Sequence, residues 1–369
     1  MALWVYAGLR LLRIGSEPAL KPDQLVESPL GRKYRTVSKR KVFLINKIYS
    51  LGLIDASDEN NVKSFDVLQC MIEPDEHTKI FNLIKAKFEK PYSHPLRNVL
   101  RYVIIKGNYQ EQTLIFSVGE MSHTVSKAVN TLSKSLTHEM PSVVGLFLYE
   151  DLSDGRYYLG SKKAAGNQPM KKIFGNPELY QKICGKSFLY HPLSFSQVNQ
   201  SIVEKMVAAA ASLLRLQSGM NLYDLYCGYG LFSLCLADKV KAVYAAELSH
   251  ESIASAIANA KRQRTENVRF IKTDITEDSI QRIFRQSNPE DAVILDPPRS
   301  GTAEGVIESI ASKGPKRVLH IFCNIDLMPK ELHRWMQSGY TIKKAIPLDN
   351  FPGTSTVEVM VLLENKIDN

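Results

Sequence analysis

The alternation of strand-like and helix-like segments from about residue 194 onward most constrains the fold of this chain. Short apolar runs such as "DAVILDPP", "RVLHIFC" and "VEVMVLLE" are separated by helical patterns such as "HESIASAIANAKRQR" and "LMPKELHRWMQSG". Parallel strands need crossover connections, so alternating strands and helices build a sheet with helices on both faces. We therefore predict a doubly wound α/β domain over residues 191–369.

The residues before this domain have an α+β pattern. "RYVIIKG" and "QTLIFSVG" read as two strands joined by a turn, and a helix and a further strand follow them. The pattern of "DEHTKIFNLIKAKFEK", which precedes these strands, predicts an amphipathic helix. A chain of 369 residues exceeds what one core usually accommodates. We predict a basic α+β region at residues 1–90 and a central α+β subdomain at 91–190.

Positive charge is in excess along the chain, with a net charge of +9 and a pI of about 9.1. Basic residues are concentrated in "GRKYRTVSKRK", which places Arg35 and other cations close to Tyr34. Such a surplus favours a polyanionic partner, and cations around an aromatic ring suit a phosphate backbone and an unstacked base. An edge strand blunted by lysines is the alternative for this segment.

The five cysteines include no pair at CxxC spacing, and their number is odd. This usage predicts a reducing compartment, here the cytoplasm, with neither a disulfide framework nor a thiolate metal site. No apolar run reaches the ~18–20 residues that span a bilayer, so we expect no membrane partner. The opening "MALWVYAGLRLLRIG" combines apolar residues with two arginines, and a targeting segment stays open. We expect a monomer without a bound metal.

Residues suited to ligand binding follow successive strands, where ligands bind in doubly wound sheets. The first strand ends in "DLYCGYG", and Gly228 in this loop lets a ligand approach the backbone closely. Glu247 ends the second strand, and a carboxylate there can accept both ribose hydroxyls. Asp274 ends the third strand, where it would meet an adenine edge. A helix N-cap is the alternative for each acid.

These features in order indicate an adenosine-containing cofactor. A dinucleotide-binding loop would carry a third glycine where this chain has Ser233. The departure favours a ligand without phosphates. S-adenosyl-L-methionine fits, because it is a nucleoside with a cationic sulfonium and an amino acid tail.

Later strands end in residues that suit covalent chemistry. Asp296 opens the stiff turn "DPPRSG", and Arg299 in this turn suits a phosphate or a carboxylate. Cys323 follows the fifth strand, and Glu358 lies in the last one, after the loop "DNFPGTST". These side chains would reach one cleft from neighbouring strands. Cys323 is then either a nucleophile or a buried thiol, the usual fate of a free cysteine.

Five motifs in order resemble those of the RNA 5-methyluridine methyltransferases: "SFSQVN", "DLYCGYG", "DPPRSG", "FCN" and "FPGTSTVE". The resemblance covers about residues 189–364 and is looser over 30–188. It implies a Rossmann-like class I methyltransferase domain, mostly parallel with an antiparallel last strand, behind an N-terminal RNA-binding region. It also implies S-adenosyl-L-methionine as cofactor and, as partner, a tRNA or rRNA with a uridine in an accessible loop.

The same resemblance implies a role for each motif residue. The residues that would contact the cofactor are Gln197, Tyr226, Glu247 and Asp296. Cys323 would add to carbon 6 of uracil, which makes carbon 5 nucleophilic toward the methyl group. Glu358 would remove the carbon 5 proton so that the cysteine can leave. Asp296 would also bind the uracil edge. Apart from the resemblance, the charge pattern predicts that Arg299 and Arg35 bind RNA.

The chain departs from the family pattern beside the reactive positions. Phe322 and Ile325 stand where the family usually has serine and proline, and Thr356 stands where it commonly has histidine. Two other functions therefore stay open. One is an RNA-binding or RNA-folding protein that keeps the fold and has lost the reaction. The other is a methyltransferase for a small molecule or a protein side chain.

Overall fold

The computed structural model describes residues 22–45, 48–55, 63–151, 170–285 and 287–366. These residues form two compact units. The C-terminal unit contains residues 22–31, 182–190 and 194–366, and the N-terminal unit contains residues 32–181 and 191–193. The stretch considered above as a targeting segment, residues 1–15, lies outside the described residues.

The N-terminal unit is built on one seven-stranded sheet. Its strands are β1 (Val37–Ile45), β2 (Ile48–Asp55), β3 (Lys63–Asp66), β4 (Leu100–Gly107), β5 (Gln112–Val118), β6 (Val143–Glu150) and β7 (Met170–Gly175). Its helices are α1 (Asp75–Phe88), α2 (His123–Glu139) and a 3₁₀ helix at Pro91–Leu96. The strand order is β3-β2-β1-β4-β5-β6-β7, and only the β5–β6 pair is parallel. Residues of α1 and α2 pack into one apolar core with β4, β5 and β6.

This sheet crosses the predicted boundary at residue 90. Strand β1 pairs with β4, from Val37 opposite Lys106 to Lys41 opposite Tyr102. The predicted division between 1–90 and 91–190 therefore does not separate two compact units. A pairing between strands about 60 residues apart leaves no trace in local periodicity, which is why the sequence pattern missed it.

The structure contradicts two details expected of the basic segment, its edge position and an accessible Tyr34 ring, and leaves phosphate binding by its exposed cations as a prediction. Strand β1 lies between β2 and β4, so the segment is not an edge strand. Tyr34 is fully buried and presents no ring to an unstacked base. Arg40 is buried in an ion pair with Glu73, with 2.7 Å between Nη1 and Oε1. Arg35 is half-buried and donates from Nε to the Val37 carbonyl at 2.9 Å.

The C-terminal unit contains a second seven-stranded sheet. Its strands are β10 (Asn221–Leu225), β11 (Ala242–Glu247), β12 (Val268–Lys272), β13 (Ala292–Leu295), β14 (Arg317–Phe322), β15 (Tyr340–Leu348) and β16 (Glu358–Asn365). A hairpin of β8 (Leu179–Ile183) and β9 (Lys186–Tyr190) precedes it, and the chain passes between the units within this hairpin. The α-helices are α3 (Val203–Leu214), α4 (Leu231–Leu236), α5 (His250–Arg262), α6 (Glu277–Ile283), α7 (Val306–Ser312) and α8 (Met328–Gln337).

The strand order of this sheet is β12-β11-β10-β13-β14-β16-β15. Strands β10 to β14 pair in parallel, and β16 runs antiparallel to both of its neighbours. The predicted fold class is confirmed. Every residue of β13 and β14 is buried, as expected for central strands covered by helices on both faces. Parallel strands end at one edge of a sheet, so the residues that follow β10 to β14 gather there.

The described start of the chain also belongs to the C-terminal unit. The Asp23 amide donates to the Ala345 carbonyl at 2.7 Å, and Val26 forms a bridge with Leu348 of β15. Residues 22–31 are therefore not part of the N-terminal α+β region in which the sequence analysis placed them. Over the described ranges, no helix is long and apolar enough to cross a membrane, and no three His, Cys, Asp or Glu residues are grouped to hold a metal ion.

Candidate active site

The turn after β10 has a backbone that side chains rarely adopt. Tyr226, Gly228 and Gly230 have φ angles of 66°, 54° and 87°. A Cβ on Gly230 would lie 3.2 Å from the Phe270 ring, so only glycine fits there without a shift. A Cβ on Gly228 would meet no atom within 4 Å. The turn is therefore tight at Gly230 and open at Gly228, where a ligand can approach the backbone. A non-glycine residue at positive φ, as at Tyr226, is uncommon.

The acids after β11 and β12 are free of capping roles. Ser249 caps α5 and Thr276 caps α6, so the N-cap alternative for Glu247 and Asp274 is wrong. The Glu247 carboxylate accepts from the Gly228 amide at 3.2 Å and from the Ser249 amide at 2.8 Å. A carboxylate offers about four acceptor positions, so two remain for ribose hydroxyls. Asp274 is exposed at the end of the neighbouring strand.

These residues fit S-adenosyl-L-methionine better than a dinucleotide. The Ser233 amide, in the first turn of α4, donates to the buried Asp224 carboxylate at 2.9 Å, and the Ser233 hydroxyl bonds the same oxygen. That amide is thus not available to a phosphate group. The remaining features, open space at Gly228 and carboxylates after two adjacent strands, suit a nucleoside without phosphates.

Three candidate side chains lie at the ends of adjacent strands, since Asp296 and Cys323 follow β13 and β14 and Glu358 begins β16. Strands β13 and β14 are parallel neighbours. Strand β14 pairs with β16 so that Phe322 lies opposite Val359. Cys323 and Glu358 are the next residues beyond this pair, and the Glu358 charge acts on the Cys323 thiol, so the two side chains are close. The structure thus brings together Asp296, Cys323 and Glu358, as the sequence predicted.

The Cys323 thiol is half-buried and protonated at neutral pH. Burial, followed by the charges of Asp296 and Glu358, raises its pKa to about 12, and Arg299 opposes this rise. The thiol donates to the Pro297 carbonyl, with 3.7 Å between Sγ and O. It is not enclosed in the core in the way that Cys227 and Cys235 are. The buried-thiol alternative therefore describes those two cysteines rather than Cys323.

The two carboxyl groups beside this thiol bind protons unusually tightly. Burial raises the pKa of Glu358 to about 7, against the opposing effects of an Asn350 hydrogen bond and the Arg299 charge. Burial and the charges of Glu358 and Asp224 raise the pKa of Asp296 well above its ordinary value. A carboxyl group with the pKa of Glu358 can exchange protons near neutral pH, as acid–base catalysis requires, whereas the raised pKa of Asp296 favours its neutral form.

Residues 176–366 match the profile of the family described as tRNA (Uracil-5-)-methyltransferase. The match covers more than half of the 369 residues. The chain belongs to the tRNA (uracil-5-)-methyltransferase family. The predicted resemblance is confirmed, and four of the five motifs that carried it lie at the strand ends described above.

Relatives of this uracil-5-methyltransferase family member include RNA methyltransferases of bacteria. An uncharacterized RNA methyltransferase of Clostridium tetani is 26% identical over 357 residues, which are 95% of this chain and 72% of the relative. The 23S rRNA (uracil(1939)-C(5))-methyltransferase RlmD of Vibrio vulnificus is 35% identical over 195 residues. That match covers 53% of this chain and 44% of the relative, so the chain aligns with less than half of RlmD.

The solved structures include one with a similar fold over most of the chain. It is the tRNA (uracil-54, C5)-methyltransferase of Pyrococcus abyssi, in complex with S-adenosyl-L-homocysteine. The TM-score is 0.69 at 19% identity, over 93% of this chain and 79% of that one. This likeness supports the class I methyltransferase fold of the family.

Two departures from the family pattern, Phe322 and Ile325, have structural reasons in this methyltransferase, and nothing in the structure explains Thr356. Phe322 is buried and stacks on His320, with 4.0 Å between ring centroids, so it extends the core. Ile325 packs against the same core. Thr356 is half-buried, and its amide donates to the Thr354 hydroxyl at 3.2 Å. These substitutions leave Cys323 and Glu358 in place.

Two side chains near this site were not singled out in the sequence. Asn350 is fully buried; its Nδ2 lies 2.9 Å from Glu358 Oε2 and 3.3 Å from Gln197 Oε1. Its place in "DNFPGTST", just before Glu358, was the available signal. Phe195 is 66% exposed, two residues before Gln197. An exposed aromatic ring beside a motif for RNA chemistry was the signal there.

The remaining predicted RNA contacts lie in different parts of the chain. Arg299 is exposed on the turn after β13, and its carbonyl accepts from Asn324 Nδ2 at 3.1 Å. Its charge acts on both Cys323 and Glu358. Arg35 belongs to the N-terminal unit. The role of Arg35 in RNA binding stays a prediction.

Proposed function

We propose that this chain transfers a methyl group from S-adenosyl-L-methionine to carbon 5 of a uridine in folded RNA, through a transient bond between Cys323 and carbon 6. The observation that carries the proposal is the proximity of Cys323 and Glu358, which are the next residues beyond the last pair of β14 and β16, Phe322 and Val359. A nucleophile and a proton acceptor side by side are what addition followed by elimination requires.

The cofactor would be held at the ends of β10 to β13. Gly228 leaves space beside its backbone, the Glu247 carboxylate has acceptor positions left for ribose hydroxyls, and Asp274 would face the base. Tyr226, Gln197 and Asp296 would complete its surroundings. When bound, S-adenosyl-L-methionine supplies an electrophilic methyl group carried on a sulfonium.

The first task of the protein is to activate Cys323. With a pKa of about 12, its thiol must lose a proton as Sγ bonds carbon 6. An ionised Glu358 would accept that proton and release it to solvent before the elimination step. The electrons of the carbon 5–carbon 6 double bond then make carbon 5 nucleophilic. A neutral Asp296, favoured by its raised pKa, can donate a hydrogen bond to a uracil carbonyl and stabilise the enolate.

The second task is to release the product. After methylation, carbon 5 carries both a methyl group and its original hydrogen. Glu358 accepts that hydrogen as a proton, the double bond re-forms, and the bond between Sγ and carbon 6 breaks. With a pKa of about 7, about half of the Glu358 carboxyls are ionised at neutral pH. This is close to the best value for a general base at that pH.

The substrate would be an unstacked uridine in a loop of tRNA or rRNA. Carbon 6 is reached only when the base leaves its stack, which costs a few kcal/mol and favours loop nucleotides. The exposed ring of Phe195 offers a face on which such a base can stack. Arg299 would bind a flanking phosphate, and Arg35 would contribute from the N-terminal unit. We expect a monomer in the cytoplasm.

Release of tritium from RNA labelled at carbon 5 of uridine tests the proposal. The protein with S-adenosyl-L-methionine should release tritium from unmodified tRNA or 23S rRNA transcripts. Cys323→Ala should abolish both release and covalent trapping of RNA. Glu358→Gln should form an RNA-linked species that accumulates, because elimination stalls. Methylation of uridine by the Cys323→Ala protein would refute the assignment of the nucleophile.

The same assay separates the other two functions. A protein that binds RNA but has lost the reaction would retain RNA affinity and release no tritium. A methyltransferase for small molecules or protein side chains would bind S-adenosyl-L-methionine and leave RNA unmodified. Family membership and the intact Cys323–Glu358 arrangement favour the RNA reaction over both.

A further inference from the structure

A second concave surface lies on the C-terminal unit, between β12 and α6. We call it the basic groove and define it by Arg269 and Lys272 of β12, Arg282 of α6, and Arg285 just after α6. Tyr244 and Ile271 are among its other lining residues, and its cavity volume is about 440 Å³. Among the described residues that line it, none is acidic.

The four cations of the basic groove have no partner in the part of the chain that the structure describes. All four are exposed, and no ion pair or side-chain hydrogen bond to a described residue engages them. Other cations of the same unit are paired, such as Lys316 with Glu290 and Arg334 with Glu308. Four like charges around one cavity repel one another. An anion bound in the groove would remove that repulsion.

The layout of these cations favours a chain of phosphates over a single one. Arg269 and Lys272 are three residues apart on an edge strand, which separates their backbones by about 10 Å. Arg282 and Arg285 lie across the cavity. Arginine forks bind phosphate oxygens in pairs, and this chain has three of them in one groove. A nucleic acid backbone offers phosphates at repeated spacing, whereas a free phosphate would meet only some of the cations.

The groove is remote from the reacting groups. In the sheet order, β12 is four strands from β14, which is about 19 Å at the usual spacing between strands. A contact at that distance leaves the uridine untouched. It can still hold the RNA in register, as phosphate contacts do in nucleic acid complexes.

We propose that the basic groove binds the phosphodiester backbone of the RNA substrate at a site separate from the uridine cleft. The proposal rests on the proposed function for the identity of the polyanion. It predicts that Arg269, Lys272, Arg282 and Arg285 contribute to RNA affinity without taking part in methyl transfer. Because the contacts are to phosphates, they should act on any folded RNA.

Equilibrium binding of an unmodified tRNA transcript tests the proposal, with the full chain and without cofactor. The test variant replaces all four groove cations by glutamine: Arg269→Gln, Lys272→Gln, Arg282→Gln and Arg285→Gln. The matched control removes four exposed lysines of the same unit elsewhere: Lys239→Gln, Lys241→Gln, Lys261→Gln and Lys330→Gln. Affinity is measured over a range of salt concentrations.

The groove variant should bind tRNA at least about tenfold more weakly near physiological salt. The slope of log affinity against log salt is negative, and its magnitude should decrease by about three. The lysine control should lose clearly less. A variant with Arg269→Lys, Arg282→Lys and Arg285→Lys keeps the charge and should keep most of the affinity. Equal losses in the glutamine variant and the lysine control would overturn the proposal, because only net charge would then matter.

Two further measurements distinguish this proposal from a small-phosphate site and from the proposed methylation. In the first, inorganic phosphate is added at constant ionic strength. If it displaced tRNA from the unchanged protein but not from the groove variant, the groove would be a site for small phosphates and the RNA assignment would be overturned. Tritium release by the unchanged protein reports the methylation separately. If no tritium were released but the groove variant still lost RNA affinity, the proposed reaction would fail while the groove assignment stood.

Discussion

The side-chain amide of Asn350 donates a hydrogen bond to the Glu358 carboxylate, with 2.9 Å between Nδ2 and Oε2. Both residues are buried, and Asn350 is itself held by Asn199, whose Nδ2 donates to the Asn350 carbonyl at 3.1 Å. A donor to a carboxylate favours the ionised form. Asn350 thus acts against the burial that raises the pKa of Glu358, and the balance leaves that pKa at about 7.

Removing this donor should shift the pH dependence of the reaction. In Asn350→Ala the pKa of Glu358 should rise above its present value of about 7, so a smaller fraction of the base is ionised at neutral pH. The acidic limb of the rate profile should move to higher pH, and the loss in rate should be larger at pH 6.5 than at pH 9. Tritium release across this range measures it.

Thr354→Val is a matched control for Asn350→Ala, since Thr354 lies in the same loop and bonds the Phe351 carbonyl rather than Glu358. It should leave the acidic limb in place. If Asn350→Ala lowered the rate equally at every pH, Asn350 would hold the loop without tuning Glu358.

Glu358 should make the folded protein less stable as pH rises. Its carboxyl has a pKa of about 7 when folded and an ordinary value near 4.5 when unfolded, so folding favours the protonated form. The cost of ionising it begins above pH 4.5 and is complete above pH 7. A shift of this size corresponds to about 3 kcal/mol.

Glu358→Gln should therefore raise the free energy of unfolding by about 2–3 kcal/mol at pH 8 and hardly change it at pH 4.5. Denaturant unfolding at both pH values measures the difference. The exposed Glu266→Gln substitution serves as control and should show no such pH dependence. An equal effect of Glu358→Gln at both pH values would contradict the raised pKa.

Gly301 shapes the turn that carries Arg299. Its φ is 77°, and a Cβ there would lie 2.5 Å from Oε1 of Glu331. The same oxygen accepts from the Thr302 amide at 2.7 Å and from its hydroxyl at 2.8 Å. Gly301→Ala should cost about 1–3 kcal/mol of stability through backbone strain and displace Glu331. Denaturant unfolding measures the cost, and a loss below about 0.5 kcal/mol would show that the turn adapts.

Gly219→Ala is the comparison for Gly301→Ala. A Cβ there meets no atom within 4 Å, and its φ is not positive. It should leave stability nearly unchanged. Tritium release by Gly301→Ala should also fall, because Arg299 lies two residues away on the same turn.

Arg299 should speed modification of Cys323 even without RNA. Its positive charge opposes the rise in the pKa of the Cys323 thiol. In Arg299→Gln that pKa should rise further, so iodoacetamide should alkylate Cys323 several-fold more slowly at pH 8. Mass spectrometry follows the rate at this residue.

Two variants serve as controls for the Arg299 experiment. Arg299→Lys keeps the charge and should alkylate at nearly the normal rate, and Lys330→Gln removes an exposed charge on α8. Equal alkylation rates in Arg299→Gln and the unchanged protein would mean that the charge does not reach the thiol.

The order of elements in the C-terminal unit was predictable because its signals are local. Each strand of the parallel sheet is a short apolar run, and each crossover contains a helical repeat. The division of residues 1–190 was not predictable in the same way. It depends on the pairing of β1 with β4, which joins residues far apart along the chain. The burial of Tyr34 is a result of that packing too, and a pattern of cations around an aromatic ring did not reveal it.

The sequence by itself determined that Asp296, Cys323 and Glu358 stand at strand ends, because residue order and periodicity place them there. Only the tertiary structure decided their protonation. A pKa depends on burial and on charges contributed by distant parts of the chain. Thus Cys323 has a thiol with a pKa of about 12 rather than a ready thiolate, and Glu358 has a pKa of about 7. The hydrogen bond of Asn350 to Glu358 likewise arises only when the loop folds over β16.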